Sequence, residues 1–556
     1  MPRPEKIKFD HAHGFHRASG ELILKVRTRH QIAADWEMRE GEIARNLLLG
    51  LASDSSRNQV SPSIYETGRI ISLAPWLEGH QERLAFLTSR QLPDGAWGAA
   101  DGYSFVPTLS ATEALLRESL REGVPQVSVT LDAARRGLRA LFGLQVSFAQ
   151  VPDTIAAEFL APWMVAEINA LLESLSAHSI SGLDEFSGAK LPKVDDTALA
   201  GLRYNVKNGR GIPSQLWHSL EVLGEDARGA EFVRPANGAV GCSPAATAAW
   251  LGTPGPERLR HPSVQYLTRS QAMWNGAVPG VTPISVFEPA WVLSALAGAG
   301  IKKTVPPIVV SELHQAIGEL GAPAGTGLPP DSDDTAGALY ALAKIGSPHP
   351  VDCLWSYEAD SYFYCFPGER TPSTSTNAHI LDALGEDETV DALRRHLAIE
   401  KISRWLTDQQ NPEGSWWDKW HASPYYATAC CALALARHGG PQSHAAVARA
   451  VDWIIATQRD DGSWGRWEGT AEETAYAMQT LLSSGVRLPS DEQIPRAAAR
   501  GAQFLLRLGD EAEHPPLWHD KELYTPIAVV RAARLAALHL AMTRPDVQDL
   551  LSMPLQ

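Results

Sequence analysis

The chain has no excess of positive charge: 49 lysines and arginines stand against 64 acids, a formal net charge of −15. No basic run offers a groove to a polyanion, which excludes a nucleic-acid footprint but leaves room for a small anionic ligand met by a few local cations. Cysteine is scarce. Cys242, Cys353, Cys365, Cys430 and Cys431 are odd in number and lack metal-ligand spacing, so reduced thiols in a cytoplasmic setting are expected. No segment near the start has the charged-then-apolar pattern of a secretory leader. Long apolar runs are also missing. Near the end, Pro526 to Met542 is broken by Arg531 and Arg534, so it reads as a buried or amphipathic helix and not as a membrane span. Period-two strand pattern is nearly absent.

What is present is helical pattern. At 556 residues the chain is too long for one ordinary core and two domains are expected; 44% apolar and 20% charged residues suit a globular protein. A helix is expected from Ile32 to Leu51. Helix starts with small and apolar followers recur near Thr112, Thr335, Thr376, Thr428, Thr474 and Thr525. In the second half their spacing is that of a repeated helical hairpin. This is an all-α reading, with toroids of paired helices.

A second repeat lies between those helices. Phe86-Leu87 leads to Gln91, Gly95 and Trp97; Trp405-Leu406 to Gln410, Gly414 and Trp416; Trp453-Ile454 to Gln458, Gly462 and Trp464, all in one register. Tyr266-Leu267-Gln271-Gly276 is a worn copy, and Phe504-Leu505 with Trp518 a weaker one. Glycine permits the turn closing an outer helix, glutamine can bond free backbone groups there, and tryptophan covers the turn. The role expected for these units is structural.

One stretch reads differently. Asp331-Ser332-Asp333-Asp334-Thr335-Ala336 puts three carboxylates within four residues, just before an apolar helical run. A helix needs only one side chain at its N-cap, and an over-supplied cap is the bland explanation. Crowding argues for more. Neighbouring carboxylates disfavour joint ionisation, so one keeps its proton at neutral pH and can serve as a Brønsted acid.

With the Gln–Trp units and the Asp-x-Asp-Asp stretch in one chain, the sequence resembles the class II terpene cyclases. The likeness is closer to the bacterial class II diterpene cyclases of the copalyl diphosphate synthase type. Ser63-Ile64-Tyr65-Glu66-Thr67, Gln91 to Gly98, Leu216-Trp217-His218-Ser219-Leu220-Glu221, Ser243 to Ala248 and Asp418-Lys419-Trp420-His421 to Tyr426 carry that narrower match. The resemblance implies two (α/α) barrels of the squalene–hopene cyclase kind with the active cavity between them. Residues 1–57 and 306–556 would form the β domain, and 58–305 an inserted γ domain. No Asp-Asp-x-x-Asp motif is present, since Asp195-Asp196 lacks the third acid, so diphosphate ionisation would fall to a separate, downstream class I terpene synthase.

By the same resemblance, Asp333 protonates the terminal alkene of a prenyl diphosphate, with Asp331 and Asp334 orienting its proton. Trp291, Trp420, Tyr425 and Tyr426, among 17 tryptophans and 12 tyrosines, are the aromatic faces expected to stabilise the cation. His218 matches the histidine of the family's terminating pair. Its asparagine partner is missing, because Val278-Pro279-Gly280-Val281 has Gly280 in that place, and a rearranged halimadienyl- or clerodienyl-type skeleton, or capture by water, becomes an expected alternative to a copalyl one. Mg²⁺ is expected on Asp153 and Glu158, with Lys419 meeting the diphosphate and Lys207 and Arg210 as weaker contacts. The substrate implied is geranylgeranyl diphosphate. Farnesyl diphosphate with a drimenyl-type product is the nearest alternative; squalene, or a non-catalytic prenyl-binding barrel, is more remote.

Overall fold

The computed structural model describes residues 29–53, 56–121, 128–143, 151–178, 182–255, 260–388, 391–485, 492–509 and 514–552, so residues 1–28 of the expected N-terminal segment lie outside the described residues. Helices dominate. In the C-terminal barrel, Phe287–Gly298, Ser332–Lys344, Thr374–Glu386, Pro424–His438, Ala471–Ser483 and Ile527–Thr543 each pack on the next, and the last packs on the first. That closes an inner ring, with Pro307–Ala316, Ala392–Asp408, His444–Ala456 and Ile494–Leu508 outside it. The N-terminal barrel is built likewise from Ile64–Leu73, Phe105–Ser119, Ala157–His178, the 3₁₀ segment Ser214–Ala227 and Pro244–Leu251. Among the described residues no helix is long and apolar enough to cross a membrane.

Local chemistry explains the elements. Six inner helices open on a side chain that accepts a free amide N–H: Ser63, Ser243, Asp331, Ser373, Ser423 and Thr470. Apart from Thr525, the threonines that marked the repeat lie inside the helices. Thr428 and Thr474 accept the backbone N–H of Trp416 and Trp464, each at 3.0 Å. In the first copy Thr108 does this for Trp97 at 2.9 Å, and Thr112 is mid-helix. Thr525 precedes the last inner helix.

The Gln–Trp units staple turns. Each tryptophan indole donates to a carbonyl of the helix it caps: Trp97 to Leu87, Trp416 to Leu406 and Trp464 to Ile454, at 2.7–2.8 Å. Each glutamine amide spans from its glycine's carbonyl to the next outer helix, Gln91 to Ala133, Gln410 to Ala446 and Gln458 to Ala497. Gly95 and Gly462 sit at φ +91°, and a β-carbon on Gly95 would lie 2.5 Å from the Arg136 carbonyl oxygen. The worn copy keeps part of this, with Gln271 accepting from Arg83 at 2.6 Å. Trp518 departs: its indole donates to Glu472 at 2.7 Å and it staples no turn.

One feature departs from the expected domain layout. Helix Phe287–Gly298, placed in the inserted domain by a boundary at 305, packs into the second core, so the change of barrel falls nearer 281. The reason is ring closure: without that helix the second inner ring would have an open side. Helix Arg29–Leu51 packs against the same barrel, on Ile527–Thr543 and Phe287–Gly298.

Candidate active site

A two-stranded hairpin, Trp518–His519 paired with Leu523–Tyr524, carries Asp520, Lys521 and Glu522 at its tip. All three are buried, because the tip is driven into the end of the N-terminal barrel. There Lys521 donates to Glu66 at 2.6 Å, Glu221 at 2.7 Å and Ser243 at 2.9 Å, and Glu522 accepts the Tyr65 amide. Beside it, His218 Nε2 meets Asp520 Oδ1 at 2.7 Å, and His218 Nδ1 lies 2.6 Å from the Gly241 carbonyl. A cavity of about 220 Å³ reaches from this pair, past Phe287, Trp420 and Trp518, to Asp331, Asp333 and Asp334.

The three acids open helix Ser332–Lys344. Asp331 is the N-cap and accepts the Asp334 amide at 2.8 Å. Burial, then the charge of Asp333, pushes the Asp331 carboxyl up to about 7. Burial, then the charges of Asp331 and Asp333, holds Asp334 well above the usual carboxylate range. Asp333 takes a separate partner: His379 Nδ1 lies 2.8 Å from its Oδ1. Burial works against the His379 imidazolium, but the charge and hydrogen bond of Asp333 outweigh it and raise His379 well above the ordinary histidine value.

Aromatic rings line the space beyond. Phe287 packs on Trp291 with centroids 4.4 Å apart, Trp518 lies 4.6 Å from Tyr426 and 5.2 Å from Phe287, and Trp291 meets the His379 ring at 5.0 Å. The Trp291 indole donates to the Tyr426 hydroxyl at 3.0 Å. Such faces stabilise a cation without offering it a lone pair.

Most residues expected from the sequence converge here. Asp331, Asp333, Asp334, His218 and Trp420 line the cavity, Gly280 borders Asp520, and Trp291 lies against His379. Tyr425 does not converge. Its ring packs 4.8 Å from Trp453 toward an outer helix, because one residue turns a helical side chain by about 100°; its neighbour Tyr426 faces inward. Lys419 lies over the rings of Phe366 and Trp420, both at the cavity, and is ion-paired with Glu369. Asp153 and Glu158 both reach Arg370, at 4.0 and 2.8 Å, and between them the Ile155 amide donates to the Asp520 carbonyl at 3.0 Å. Lys207 and Arg210 are exposed.

Sequence reasoning missed His379, Phe287 and Asp520. His379 and Phe287 carried no motif. The segment of Asp520 did carry a signal: three consecutive charged residues, Asp520-Lys521-Glu522, between Leu517-Trp518 and Leu523-Tyr524. Charge inside an apolar stretch marks either an exposed turn or a buried network, and here it is the network.

A family profile described as the squalene-hopene cyclase C-terminal domain matches residues 370–526. An ent-copalyl diphosphate synthase of Streptomyces sp. (strain KO-3988) is 47% identical over 479 residues, 86% of this chain and 92% of the relative. A labda-7,13-dienyl diphosphate synthase of Streptomyces clavuligerus is 37% identical, covering 90% of this chain and 93% of its own length. A solved structure of the ent-copalyl diphosphate synthase from Streptomyces platensis superposes with a TM-score of 0.85 at 50% identity, covering 90% of this chain and 99% of that one.

Proposed function

This chain belongs to the class II diterpene cyclases of the copalyl diphosphate synthase type, and from that premise we propose that it cyclises geranylgeranyl diphosphate by protonation at Asp333, retaining the diphosphate. The observation that carries the reading is the division of labour at the acids. Asp333 Oδ1 is taken by His379, which leaves Oδ2 to hold the transferable proton. The raised Asp331 and Asp334 carboxyls keep their own protons and so limit the negative charge beside it. The His379 hydrogen bond steadies the carboxylate that Asp333 becomes as its proton leaves.

Protonation of the terminal alkene leaves a tertiary cation that the next double bonds capture in turn, giving a bicyclic diterpenyl diphosphate. Phe287, Trp291, Tyr426 and Trp518 supply the faces along which the charge moves. The two named relatives differ in product, so the skeleton here depends on how this chain ends the cation. The product keeps its diphosphate and suits a class I terpene synthase acting next.

The diphosphate end would lie toward Lys419, over the cavity residue Trp420, and toward Asp153 and Glu158, which flank the cavity residue Ile155 in sequence and reach Arg370. Asp153 and Glu158 would hold Mg²⁺ through two hard carboxylate oxygens, in place of the Arg370 guanidinium nitrogen that both now reach. Among the described residues no group of three or more possible metal ligands exists, so phosphate oxygens and water would complete the shell. Bound there, Mg²⁺ would neutralise diphosphate charge and anchor the substrate. The test is incubation of purified protein with geranylgeranyl or farnesyl diphosphate, phosphatase treatment and mass spectrometry. A bicyclic C20 alcohol is expected from the wild type. Asp333→Ala should lower its yield at least 10³-fold, near the upper range for a lost general acid. A C15 product alone would overturn the substrate assignment.

A further inference from the structure

Resting on that reading, we propose that Asp520 is the base that ends the reaction, its free Oδ2 taking the last proton, and that Gly280 is the residue that leaves that oxygen open.

At His218 the hydrogen-bond partners fix where the protons lie. The Gly241 carbonyl can only accept, so Nδ1 carries a hydrogen. The 2.7 Å contact of Nε2 with Asp520 Oδ1 needs a second hydrogen between them. Both ring nitrogens are therefore occupied, and His218 has no lone pair for a substrate proton. Whichever atom holds the shared hydrogen, the pair is buried and neutral as a unit. Burial opposes charge on both partners, but their mutual attraction lowers Asp520 and raises His218, which favours imidazolium with carboxylate.

Asp520 has one oxygen left. Among the described residues Oδ2 has no hydrogen-bond partner; it is buried and belongs to a side chain that lines the same cavity as Asp333. A buried, unpartnered carboxylate oxygen is costly unless it has work to do. Gly280 explains how it stays accessible. A β-carbon at position 280 would lie 2.7 Å from Oδ2, so any larger residue would press on that oxygen or cover it. The Ile155 amide fixes the Asp520 backbone from the other side.

The step balances. A C–H bond next to the final cation breaks, its electron pair becomes the new alkene, and the proton goes to Oδ2, leaving a neutral carboxylic acid beside His218. The proton lost by Asp333 at the start equals the one gained by Asp520 at the end. Both groups re-equilibrate with water after product leaves. The consequence is prompt deprotonation, which gives an unrearranged copalyl-type product in place of the rearranged skeleton that Gly280 alone suggested.

The test compares wild type, Asp520→Asn, Gly280→Ala and Asp333→Ala with geranylgeranyl diphosphate, reading substrate consumption and product distribution separately. Asparagine keeps a hydrogen bond to His218 but accepts no proton. Asp520→Asn is expected to go on consuming substrate, slowed about tenfold or less, while most product becomes hydroxylated or rearranged. Gly280→Ala, whose added carbon meets Oδ2 and not the Oδ1 bonded to His218, should shift product the same way and covers the case in which Asp520→Asn fails to fold. An unchanged product from a folded Asp520→Asn would make the aspartate a mere orienting group and overturn the proposal. So would loss of all consumption in that folded variant. No cyclic product from wild type would overturn the protonation reading with it; a wild-type product lost only in Asp333→Ala, with Asp520→Asn unchanged, would overturn this proposal alone.

Discussion

His379 shows how one contact sets an acid. Its position on helix Thr374–Glu386 brings Nδ1 to Asp333 Oδ1, so the carboxyl proton has only one oxygen to occupy. His379→Phe keeps an aromatic ring against Trp291 and removes the hydrogen bond. Turnover is expected to fall about 10²-fold with KM nearly unchanged, because the loss belongs to proton transfer and not to binding. Steady-state kinetics on the diphosphate product decide it. The acid cluster also sets a pH limit. Asp331 is raised to about 7 by burial and then by Asp333, so the proton it holds is present below that value and lost above it. Turnover should therefore decline as pH rises through about 7, measured at saturating substrate.

At the scale of elements, the Gln–Trp turn is a part used repeatedly. Gly462 combines φ +91° with a close approach, since a β-carbon would meet the Arg500 carbonyl oxygen at 2.7 Å. Gly462→Ala is expected to cost about 1–3 kcal/mol from backbone strain alone, with activity per folded molecule retained. Urea unfolding checks the first part and specific activity the second. The hairpin that carries Asp520 is an element of another kind. Its ladder is only two residue pairs long, so the strands alone cannot hold it. Its place is fixed by what the tip buries and by bonds at its base, where the His519 amide donates to the Trp420 carbonyl at 2.9 Å and the Ala422 amide to the Leu517 carbonyl at 2.7 Å.

The whole molecule depends on that tip. Lys521 is fully buried and bonded to Glu66 and Glu221 of the other barrel, so it joins the two domains at the cavity. Lys521→Met leaves both acids without their cation, at an expected cost of about 3–5 kcal/mol. Adding Glu221→Gln should recover part of that loss in thermal unfolding. The interface also links stability to pH. Burial, only partly offset by Lys521, raises Glu66 to about 7, and burial raises Glu522 to about 8. Between the unfolded value of about 4.3 and these values the folded chain binds more protons than the unfolded one, so their contribution falls as pH rises, by up to about 1.4 kcal/mol per unit for each proton. Glu522→Gln should flatten the decline in melting temperature between pH 5 and pH 8.

Features governed by local rules are already legible along the chain. Helical period, caps and the in-register Gln–Trp units specify barrels of paired helices. Crowded acids at Asp331, Asp333 and Asp334 specify an acid site, because their neighbourhood is within one helical turn. The remaining features come from the packing of distant segments. His379 lies 46 residues from Asp333, and Asp520 lies 302 from His218. No periodicity records such pairs, because ring closure and the docking of one barrel on the other create them. Position 280 makes the same point. Its sequence shows only a missing side chain, whereas its surroundings show that the space belongs to the oxygen of Asp520.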